Sequence, residues 1–255
     1  MEVMEVLLFK EVSKDYASAN ATALKEVSFS VKQGEFTALA GPSGSGKSTI
    51  LNLAAGLDIP SQGKVILLDK DLTSMDGNAL TILRRNSVGF VFQSYNLFPV
   101  LTALENVEYQ LALKGVSQNK RRRLAEAALE EVGMKGFGKR FPAQLSGGQQ
   151  QRVAIARAIV SDPKIVFADE PTANLDSTTA EKLLLLFRTL NETKKITFLF
   201  SSHDPMVLRI ADRILEICDG RIKADTLRQK QPTEAPLPNP VVRLPMVLPP
   251  QRRAA

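Results

Sequence analysis

The sequence predicts an α/β fold built around a parallel β-sheet. Short apolar runs alternate with longer helical patterns between residues 35 and 218, as in chains that build such a sheet. One of these runs, residues 164–168, is a continuous apolar strand, which is typical of a parallel sheet covered on both faces. A glycine-rich loop at residues 41–48 stands between a predicted strand and a predicted helix. Together these observations favour one large α/β domain.

The individual elements follow from hydrophobic spacing and turn signals. Residues 1–40 alternate apolar and polar side chains around turns such as Gln33-Gly34, so we predict an N-terminal antiparallel β region that ends in a buried strand at 35–40. Residues 101–139 carry Leu104, Val107 and Leu111 at helical spacing, which predicts a helical insertion in the core. Further strands are predicted at 64–68, 88–92, 164–168, 196–200 and 214–218, and helices at 47–55, 119–132, 178–191 and 205–211.

The composition of the chain changes after Thr226. Residues 230–255 hold seven of the fourteen prolines, and proline at this density is incompatible with a helix or a central strand. We therefore predict a folded domain over residues 1–226, with a helical subdomain at 94–160. Residues 227–255 are predicted to be a Pro-rich basic tail that is extended or disordered.

Bulk composition limits the class of protein. Of the 255 residues, 44% are hydrophobic and 24% are charged, as in ordinary soluble globular proteins. No stretch approaches the roughly 18 consecutive apolar residues of a membrane helix, and residues 1–9 lack the features of a secretory signal. A single cysteine, Cys218, excludes an internal disulfide and suits a reducing cytosol.

The net charge of +6 suggests a nucleic-acid partner, but its location argues against one. Residues 221–255 contain seven basic and two acidic residues, so they carry +5 of the total, and the rest of the chain is close to neutral. A basic tail can favour an anionic membrane or RNA. We interpret this one as a solvated tail and expect no nucleic-acid partner.

Residues 41–48, Gly-Pro-Ser-Gly-Ser-Gly-Lys-Ser, form a phosphate-binding pattern with a strand before it and a helix after it. Glycines let the backbone approach phosphate oxygens, and the amides of residues 44–49 and the helix dipole add positive potential. Lys47 is expected to neutralise β- and γ-phosphate charge, and Ser48 to bind Mg²⁺.

Asp169 and Glu170 follow the apolar strand at 164–168. A strand that ends in a solvated acidic turn is common. Beside a phosphate loop, however, two such carboxylates can be assigned specific functions. Asp169 is expected to hold Mg²⁺ directly or through water. Glu170 is expected to orient and polarise the attacking water.

A second glycine-rich helix start lies downstream, at residues 145–149, which read Leu-Ser-Gly-Gly-Gln. In isolation Ser-Gly-Gly would be a plain helix cap. With the preceding motifs, however, the chain resembles the nucleotide-binding subunit of an ABC transporter over roughly residues 3–224. The resemblance implies a P-loop NTPase (RecA-like) core, the N-terminal antiparallel β region and a helical subdomain specific to this family.

The resemblance also implies the rest of the site and its partner. Two subunits pack head to tail, and Ser146, Gly147 and Gly148 of one face the γ-phosphate held by the other. Tyr16 matches the aromatic residue that stacks on adenine in this family. Gln93 matches a glutamine that reaches Mg²⁺ and the attacking water. Asp176 matches the loop that couples the two nucleotide sites across the dimer, and His203 matches the switch histidine that contacts the γ-phosphate. Ser201 and Ser202 depart from the family pattern, in which a hydrophobic residue and Thr often stand there.

The complete site prediction has three parts. ATP is expected to contact Tyr16, Gly41, Pro42, Ser43, Gly44, Ser45, Gly46, Lys47, Ser48, Thr49, Ser146, Gly147, Gly148, Gln149 and Asp176. Mg²⁺ is expected at Ser48, Gln93 and Asp169, and the catalytic residues are expected to be Glu170, His203, Gln93 and Lys47.

Residues 168–176 and 96–107 resemble the subunits of macrolide-type exporters, lipoprotein-release complexes and cell-division permeases of bacteria. The prediction is therefore an ATP-hydrolysing homodimer that drives a separate membrane permease from the cytoplasmic face of the inner membrane. Residues 141–152 are shared with polar amino-acid importers, which leaves an importer ATPase as an alternative. A soluble, non-transport ABC ATPase and a regulatory partner of a division permease are further alternatives. The soluble type is disfavoured because no second cassette, long coiled-coil insertion or zinc-type cysteine pair is present.

Overall fold

The computed structural model describes residues 4–16 and 21–228. Its strands are β1 (Glu5–Tyr16), β2 (Ala21–Lys32), β3 (Phe36–Ala40), β4 (Gln62–Leu67), β5 (Lys70–Asp71), β6 (Val88–Val91), β7 (Ile165–Asp169), β8 (Thr197–Ser202), β9 (Arg213–Cys218) and β10 (Arg221–Leu227). Its α-helices are α1 (Lys47–Ala54), α2 (Gly77–Ser87), α3 (Ala103–Leu113), α4 (Gln118–Glu131), α5 (Gly147–Ile159), α6 (Ser177–Lys194) and α7 (Pro205–Ile210).

The central sheet has six strands in the order β10-β9-β3-β8-β7-β6. Neighbouring strands from β9 to β6 are parallel, and β10 pairs antiparallel with β9. All five residues of β3 and all six of β8 are buried, as the apolar character of these strands predicts for a sheet covered on both faces. The predicted parallel α/β core is confirmed.

A second sheet has four antiparallel strands in the order β2-β1-β4-β5. It contains the N-terminal β region predicted from the alternation in residues 1–40, and β4 and β5 from later in the chain complete it. Phe9 and Phe29 stack across β1 and β2 with ring centroids 4.6 Å apart. This pair helps to bury the inner face of the second sheet.

Alternate side chains of the central sheet enter two separate cores. Leu39, Phe167 and Leu199 pack on the side of α1 and the antiparallel sheet. On the opposite side, Phe36 and Phe200 pack toward the helices, with their ring centroids 4.6 Å apart. Because the period of a strand is two, a shift of one residue in any of these strands would exchange its two cores.

Helices α3, α4 and α5 pack against one another within the predicted helical subdomain, residues 94–160. A capping box between Thr102 and Glu105 begins α3. The buried Asn106 accepts a hydrogen bond from the Phe98 amide and donates to the carbonyls of Phe98, Leu101 and Thr102. The segment before α3 is thereby held against the helix.

Three elements lie where no separate prediction was made: α2, β10 and the two-residue strand β5. Only Leu80 and Leu83 of α2 are buried, and no residue of β10 is fully buried, so neither segment has a strong apolar pattern. Most other predicted elements differ from the observed ones by one to three residues at their ends. The predicted tail lies outside the described residues except for Leu227, the last residue of β10, and Arg228. Among residues 4–16 and 21–228, no helix combines the length and apolar character needed to cross a membrane.

An ion pair joins α6 to the start of β9. The Arg188 guanidinium donates two parallel hydrogen bonds of 2.9 Å to the Asp212 carboxylate, and it lies 5.5 Å from the Phe36 ring centroid. The side chains of Arg188 and Asp212 are 8% and 13% exposed. The bidentate geometry gives strong charge-assisted hydrogen bonds, and removing one partner of a buried pair leaves the other charge buried without compensation.

Arg188→Ala should lower the free energy of unfolding by about 3–5 kcal/mol, because it leaves the Asp212 carboxylate buried with its cation removed. Urea unfolding without nucleotide measures this loss. Arg122→Ala is the matched control: its pair with Glu126 is 57% exposed on both sides and should contribute less than about 1 kcal/mol. Equal losses in the two variants would contradict a structural role for the buried pair.

Candidate functional site

The predicted site residues meet at one edge of the central sheet. Strands β3, β6, β7 and β8 are mutually parallel, so their carboxyl ends lie on the same side. The glycine-rich loop follows β3, Gln93 follows β6, Asp169 ends β7, and His203 follows β8. Ligands of open parallel sheets bind at this edge.

The loop after β3 is tightly shaped around Gly46 and Lys47. Gly46 has φ 108°, and a Cβ added there would lie 2.7 Å from Leu24 Cδ2 and 2.8 Å from the Ala23 carbonyl oxygen, so only glycine fits. The buried Lys47 donates from Nζ to the carbonyl oxygens of Gly41, at 2.8 Å, and Pro42, at 2.9 Å. Its cation is therefore held inside the loop.

Helix α1 begins at Lys47 and has no acidic residue in its first turn. No carboxylate of the helix's own first turn therefore offsets its N-terminal dipole, which suits an anion such as phosphate. The other loop residues predicted to contact the nucleotide lie in the turn before α1 or in its first turn, namely Gly41, Pro42, Ser43, Gly44, Ser45, Ser48 and Thr49.

Asp169 is held between the loop and the neighbouring strand. Its Oδ1 accepts a hydrogen bond of 3.1 Å from Ser48 Oγ and another from Ser201 Oγ. A hydroxyl that donates its proton still has lone pairs, so Ser48 can bind a metal ion while it keeps Asp169 in place. The structure thus brings together two of the three residues predicted for Mg²⁺.

Glu170 has a left-handed backbone, with φ 45°, which is unfavourable for a residue with a side chain. Its amide donates to the carbonyl oxygen and to Oγ of Ser201, both at 3.1 Å. Its carboxylate oxygen Oε1 lies 3.0 Å from His203 Nδ1. Glu170 is 16% exposed and His203 is 65% exposed, so the pair lies at the rim of the site.

The second glycine-rich helix start, unlike the first, has a side-chain cap. Ser146 and Gln149 form a capping box: the Gln149 amide donates to Ser146 Oγ, at 3.3 Å, and the Ser146 amide donates to Gln149 Oε1, at 3.0 Å. Ser146 is exposed, and the first turn of α5 has no acidic residue. Helix α5 therefore offers a second exposed N-terminus for an anion.

Three hydrogen bonds that sequence reasoning did not anticipate connect these parts. Asn174 Nδ2 donates to the carbonyl oxygen of Gln93, at 3.1 Å. Gln151, fully buried in α5, donates to the carbonyl oxygen of Pro171 next to the carboxylates, at 2.9 Å. The guanidinium of Arg157, also in α5, donates to the carbonyl oxygen of Tyr95, at 2.9 Å.

Tyr95 and Asn96, just after Gln93, both have positive φ, 60° and 49°. Two consecutive non-glycine residues in the left-handed region need support from their surroundings. Arg157 supplies it, because it donates to the carbonyl oxygens of both residues. No local motif in the sequence indicates this arrangement.

Tyr16 ends β1, a strand of the antiparallel sheet, and its hydroxyl donates to Asp58, at 3.0 Å. Lys14 Nζ lies 5.0 Å from the Tyr16 ring centroid and donates to the same carboxylate, at 2.7 Å. Burial raises the pKa of Asp58, but the hydrogen bonds from Lys14, the Ile59 amide and Tyr16 outweigh it, so this pKa is lowered overall. The ring is thus held in a fixed position.

Asp176 is the exposed N-cap of α6 and accepts a hydrogen bond of 3.0 Å from the Thr179 amide. The hydrogen bonds from the Thr179 side chain and backbone lower the pKa of Asp176. The carboxylate therefore stays ionised at neutral pH, at the start of a helix that follows the Pro171 segment.

The oxygen donors beside the loop suit Mg²⁺. Within the part of the chain that the structure describes, no cluster of three or more His, Cys, Asp or Glu side chains could enclose a metal ion. Ser48 and Asp169 instead form a sparse set of hard oxygen donors. Mg²⁺ is commonly held by such a set together with substrate phosphates and water.

Comparison with known proteins assigns the family. The sequence profile of the family described as ABC transporter matches residues 24–173, more than half of the chain. The chain belongs to the ABC transporter family. It is an ATP-binding subunit of this family, an ATPase that uses ATP with Mg²⁺.

Three relatives show how far the similarity extends. The uncharacterized ABC transporter ATP-binding protein MJ0796 of Methanocaldococcus jannaschii is 45% identical over 228 residues, which cover 86% of this chain and 96% of that protein. The lipoprotein-releasing system ATP-binding protein LolD of Anaeromyxobacter dehalogenans is 46% identical over 217 residues, 84% of this chain and 91% of that protein. The macrolide export ATP-binding/permease protein MacB of Sodalis glossinidius is 43% identical over 228 residues, 89% of this chain but 35% of that longer protein.

A solved structure of MJ0796 supports the same fold. It is described as the dimeric, post-hydrolysis state of an ATP-binding cassette bound to ADP and Pi. It matches this chain with a TM-score of 0.81 at 43% identity, and the match covers 87% of this chain and 98% of that one. The predicted ABC cassette fold is confirmed.

The start of α5 yields a direct test of packing. A Cβ added at Gly148 would lie 2.5 Å from Thr179 Cγ2, so Gly148→Ala should lower the free energy of unfolding by about 1–3 kcal/mol. The double variant with Thr179→Ser, which removes that methyl group and keeps the hydroxyl, should recover most of the loss. Chemical denaturation of both variants gives the comparison.

Gly147→Ala is the matched control, because its Cβ would meet only the hydroxyl at the far end of the Tyr95 side chain, at 2.8 Å. Its loss should be smaller. If Ser at position 179 relieves nothing, contact with the Thr179 methyl group is not the cause of the destabilisation.

Proposed function

We propose that two copies of this chain close head to tail on two MgATP and drive a separate membrane permease by hydrolysing the ATP. The observation that carries this proposal is the edge of the central sheet, where Ser48 contacts Asp169 at 3.1 Å and His203 contacts Glu170 at 3.0 Å. One edge of the sheet thus holds both the residues that could bind Mg²⁺ and the pair that could act as a general base.

In this proposal the loop holds the ATP phosphates. Lys47 is the cation that neutralises the β- and γ-phosphates, and the N-terminal amides of α1 surround their oxygens. Ser48 and Asp169 hold Mg²⁺, with Gln93 reaching the metal from the end of β6. Tyr16, held by Asp58 and Lys14, stacks on the adenine.

Hydrolysis depends on the pair at the rim. Glu170 orients and polarises the water that attacks the γ-phosphate. His203 contacts the γ-phosphate and, through its hydrogen bond to Glu170 Oε1, links that phosphate to the general base. Loss of the γ-phosphate removes these contacts, so ATP and ADP favour different states of the site.

The second half of each site comes from the other subunit. Ser146, Gly147, Gly148 and Gln149 present the exposed N-terminus of α5 to the γ-phosphate, and Asp176 couples the two sites. Ser146 and Asp176 are both exposed in the single chain, as a dimer surface requires. The solved structure of MJ0796 is described as dimeric, which supports this arrangement.

The permease branch is proposed from sequence similarity. LolD is described as part of a lipoprotein-releasing system and MacB as a macrolide export protein, so an exporter or lipoprotein-release complex is favoured over an importer. Phe98 and Val100, before α3, are exposed apolar side chains on the surface near residues 94–107 that we assign to the permease. In this proposal the subunit lies peripherally on the cytoplasmic face of the bacterial inner membrane, where this surface would meet the permease.

Glu170→Gln should reduce ATP turnover by about 100-fold or more, because it removes the general base. ATP binding should persist, so the variant should elute as a stable dimer in gel filtration with MgATP and as a monomer without it. Glu181→Gln, an exposed position on α6, should turn over ATP like the wild type. Wild-type turnover in Glu170→Gln would overturn the catalytic assignment.

Lys47→Ala removes the cation held inside the loop and should abolish ATP binding or turnover. Equilibrium binding of a fluorescent ATP analogue and a phosphate-release assay measure the two effects separately. Retention of both wild-type affinity and wild-type turnover would contradict the role assigned to the loop.

The transport branch is tested by purifying Glu170→Gln with MgATP from detergent-solubilised host membranes and identifying its partners by mass spectrometry. A permease with few membrane helices and a large periplasmic domain is the expected result. A solute-binding protein with the permease would indicate an importer. Ribosomal proteins or nucleic acid, with no membrane protein, would overturn the transport proposal.

A further inference from the structure

We propose that Ser201 is a positioning residue for hydrolysis, which holds Asp169 and Glu170 in their working orientations through its hydroxyl. This inference rests on the catalytic roles proposed above. Ser201 touches neither the phosphate loop nor any reacting atom in the proposed mechanism, so it acts through the two carboxylates. It stands where the family often has a hydrophobic residue, which cannot make these hydrogen bonds.

The position of Ser201 is set by the sheet. It is the penultimate residue of β8, the strand between β3 and β7. Its register partners are Leu39 on β3 and Asp169 on β7, and it is completely buried. The side chain at this position therefore meets the Asp169 carboxylate and the Glu170 amide at close range and away from water.

Both hydrogen-bonding capacities of the Ser201 hydroxyl are used within the site. It donates its proton to Asp169 Oδ1 and accepts the Glu170 amide, at 3.1 Å. A hydroxyl offers one proton and two lone pairs, so a single atom links the two carboxylate residues. Valine, isoleucine or alanine at position 201 would lose both contacts.

Asp169 is consequently held from two sides. Ser48 approaches Oδ1 from the phosphate loop and Ser201 approaches it from the sheet. Ser48 belongs to the helix start that follows the phosphate loop, whereas Ser201 is fixed by its strand pairing with β3 and β7. Ser201 thus supplies an orientation for the carboxylate that does not depend on the nucleotide.

Glu170 gains support for an unfavourable backbone. Its φ of 45° lies in the left-handed region, and such conformations persist only where the surroundings over-determine them. Its amide is held by both the carbonyl oxygen and the hydroxyl of Ser201. Because the direction of the Glu170 side chain depends on this backbone, the hydroxyl helps to aim the general base.

Three other buried hydroxyls lack these contacts. Among the described residues, Ser161 Oγ, Thr37 Oγ1 and, in the phosphate loop, Ser45 Oγ are buried with no hydrogen-bond partner in the protein. The fold therefore tolerates a buried hydroxyl that makes no hydrogen bond. Ser161 and Thr37 lie outside the phosphate loop, so removing either hydroxyl should leave the site intact. Ser161→Ala is the matched control for Ser201→Ala, because it makes the same chemical change at a buried position.

The test compares steady-state ATPase kinetics of Ser201→Ala, Ser201→Thr and Ser161→Ala with the wild type. Ser201→Ala should lower kcat about tenfold, as expected for a lost hydrogen bond to a charged group. The KM for ATP should change by less than about twofold, since the loop that binds the phosphates is untouched. Ser201→Thr keeps the hydroxyl and should recover most of kcat, and Ser161→Ala should match the wild type.

A second readout needs no turnover: backbone amide exchange of Glu170, measured by NMR without nucleotide. It should become faster in Ser201→Ala and stay unchanged in Ser161→Ala. An unchanged kcat in Ser201→Ala, a raised KM at constant kcat, or an equal loss in Ser161→Ala would each overturn the inference. A wild-type chain that hydrolyses no ATP would overturn the proposed function instead, while the exchange of the Glu170 amide would still test the contact.

Discussion

The parallel pairing of β3, β8 and β7 is the constraint on which the site depends. It brings the carboxyl end of β3 beside those of β7 and β8, which lie more than a hundred residues later in the chain, so that Ser48 reaches Asp169 and Ser201 lies opposite it. The pairing in turn depends on two cores, one on each face of the sheet, filled by alternate residues of the same strands. A shift of one residue would exchange the two faces, so the packing that stabilises the fold also fixes the register of the site.

Electrostatics explains why two glycine-rich helix starts occur in one chain. Neither α1 nor α5 has an acidic residue in its first turn, so each leaves its N-terminal dipole available to an anion. The carboxylates that we propose for metal binding and catalysis come instead from the end of β7. A polyphosphate can gain from a helix start on each of two subunits, and closure of the dimer then depends on the presence of the terminal phosphate.

Side chains of α5 and of the segment after β7 connect these parts within a subunit. Arg157 supports the left-handed backbone after Gln93, Gln151 holds Pro171, and Asn174 holds the Gln93 carbonyl. In the proposed dimer, the helix that begins at one nucleotide site therefore contacts, within its own subunit, the segments that flank the carboxylates of the other site. Such packed contacts are the physical means by which a change at the γ-phosphate can reach the surface before α3.

The sequence by itself determined the parallel α/β class, the phosphate loop, the acidic pair, the second helix start and hence the family, because each depends on residues close together in the chain. It did not indicate α2 or β10, whose residues are mostly exposed and lack a strong apolar period. It marked Ser201 only as a departure from the family pattern. Only the tertiary structure decided which groups Ser201, Arg157 and Gln151 contact, because each of their hydrogen bonds joins segments that are far apart in the sequence. Such contacts depend on register and packing, which no local pattern of residues encodes.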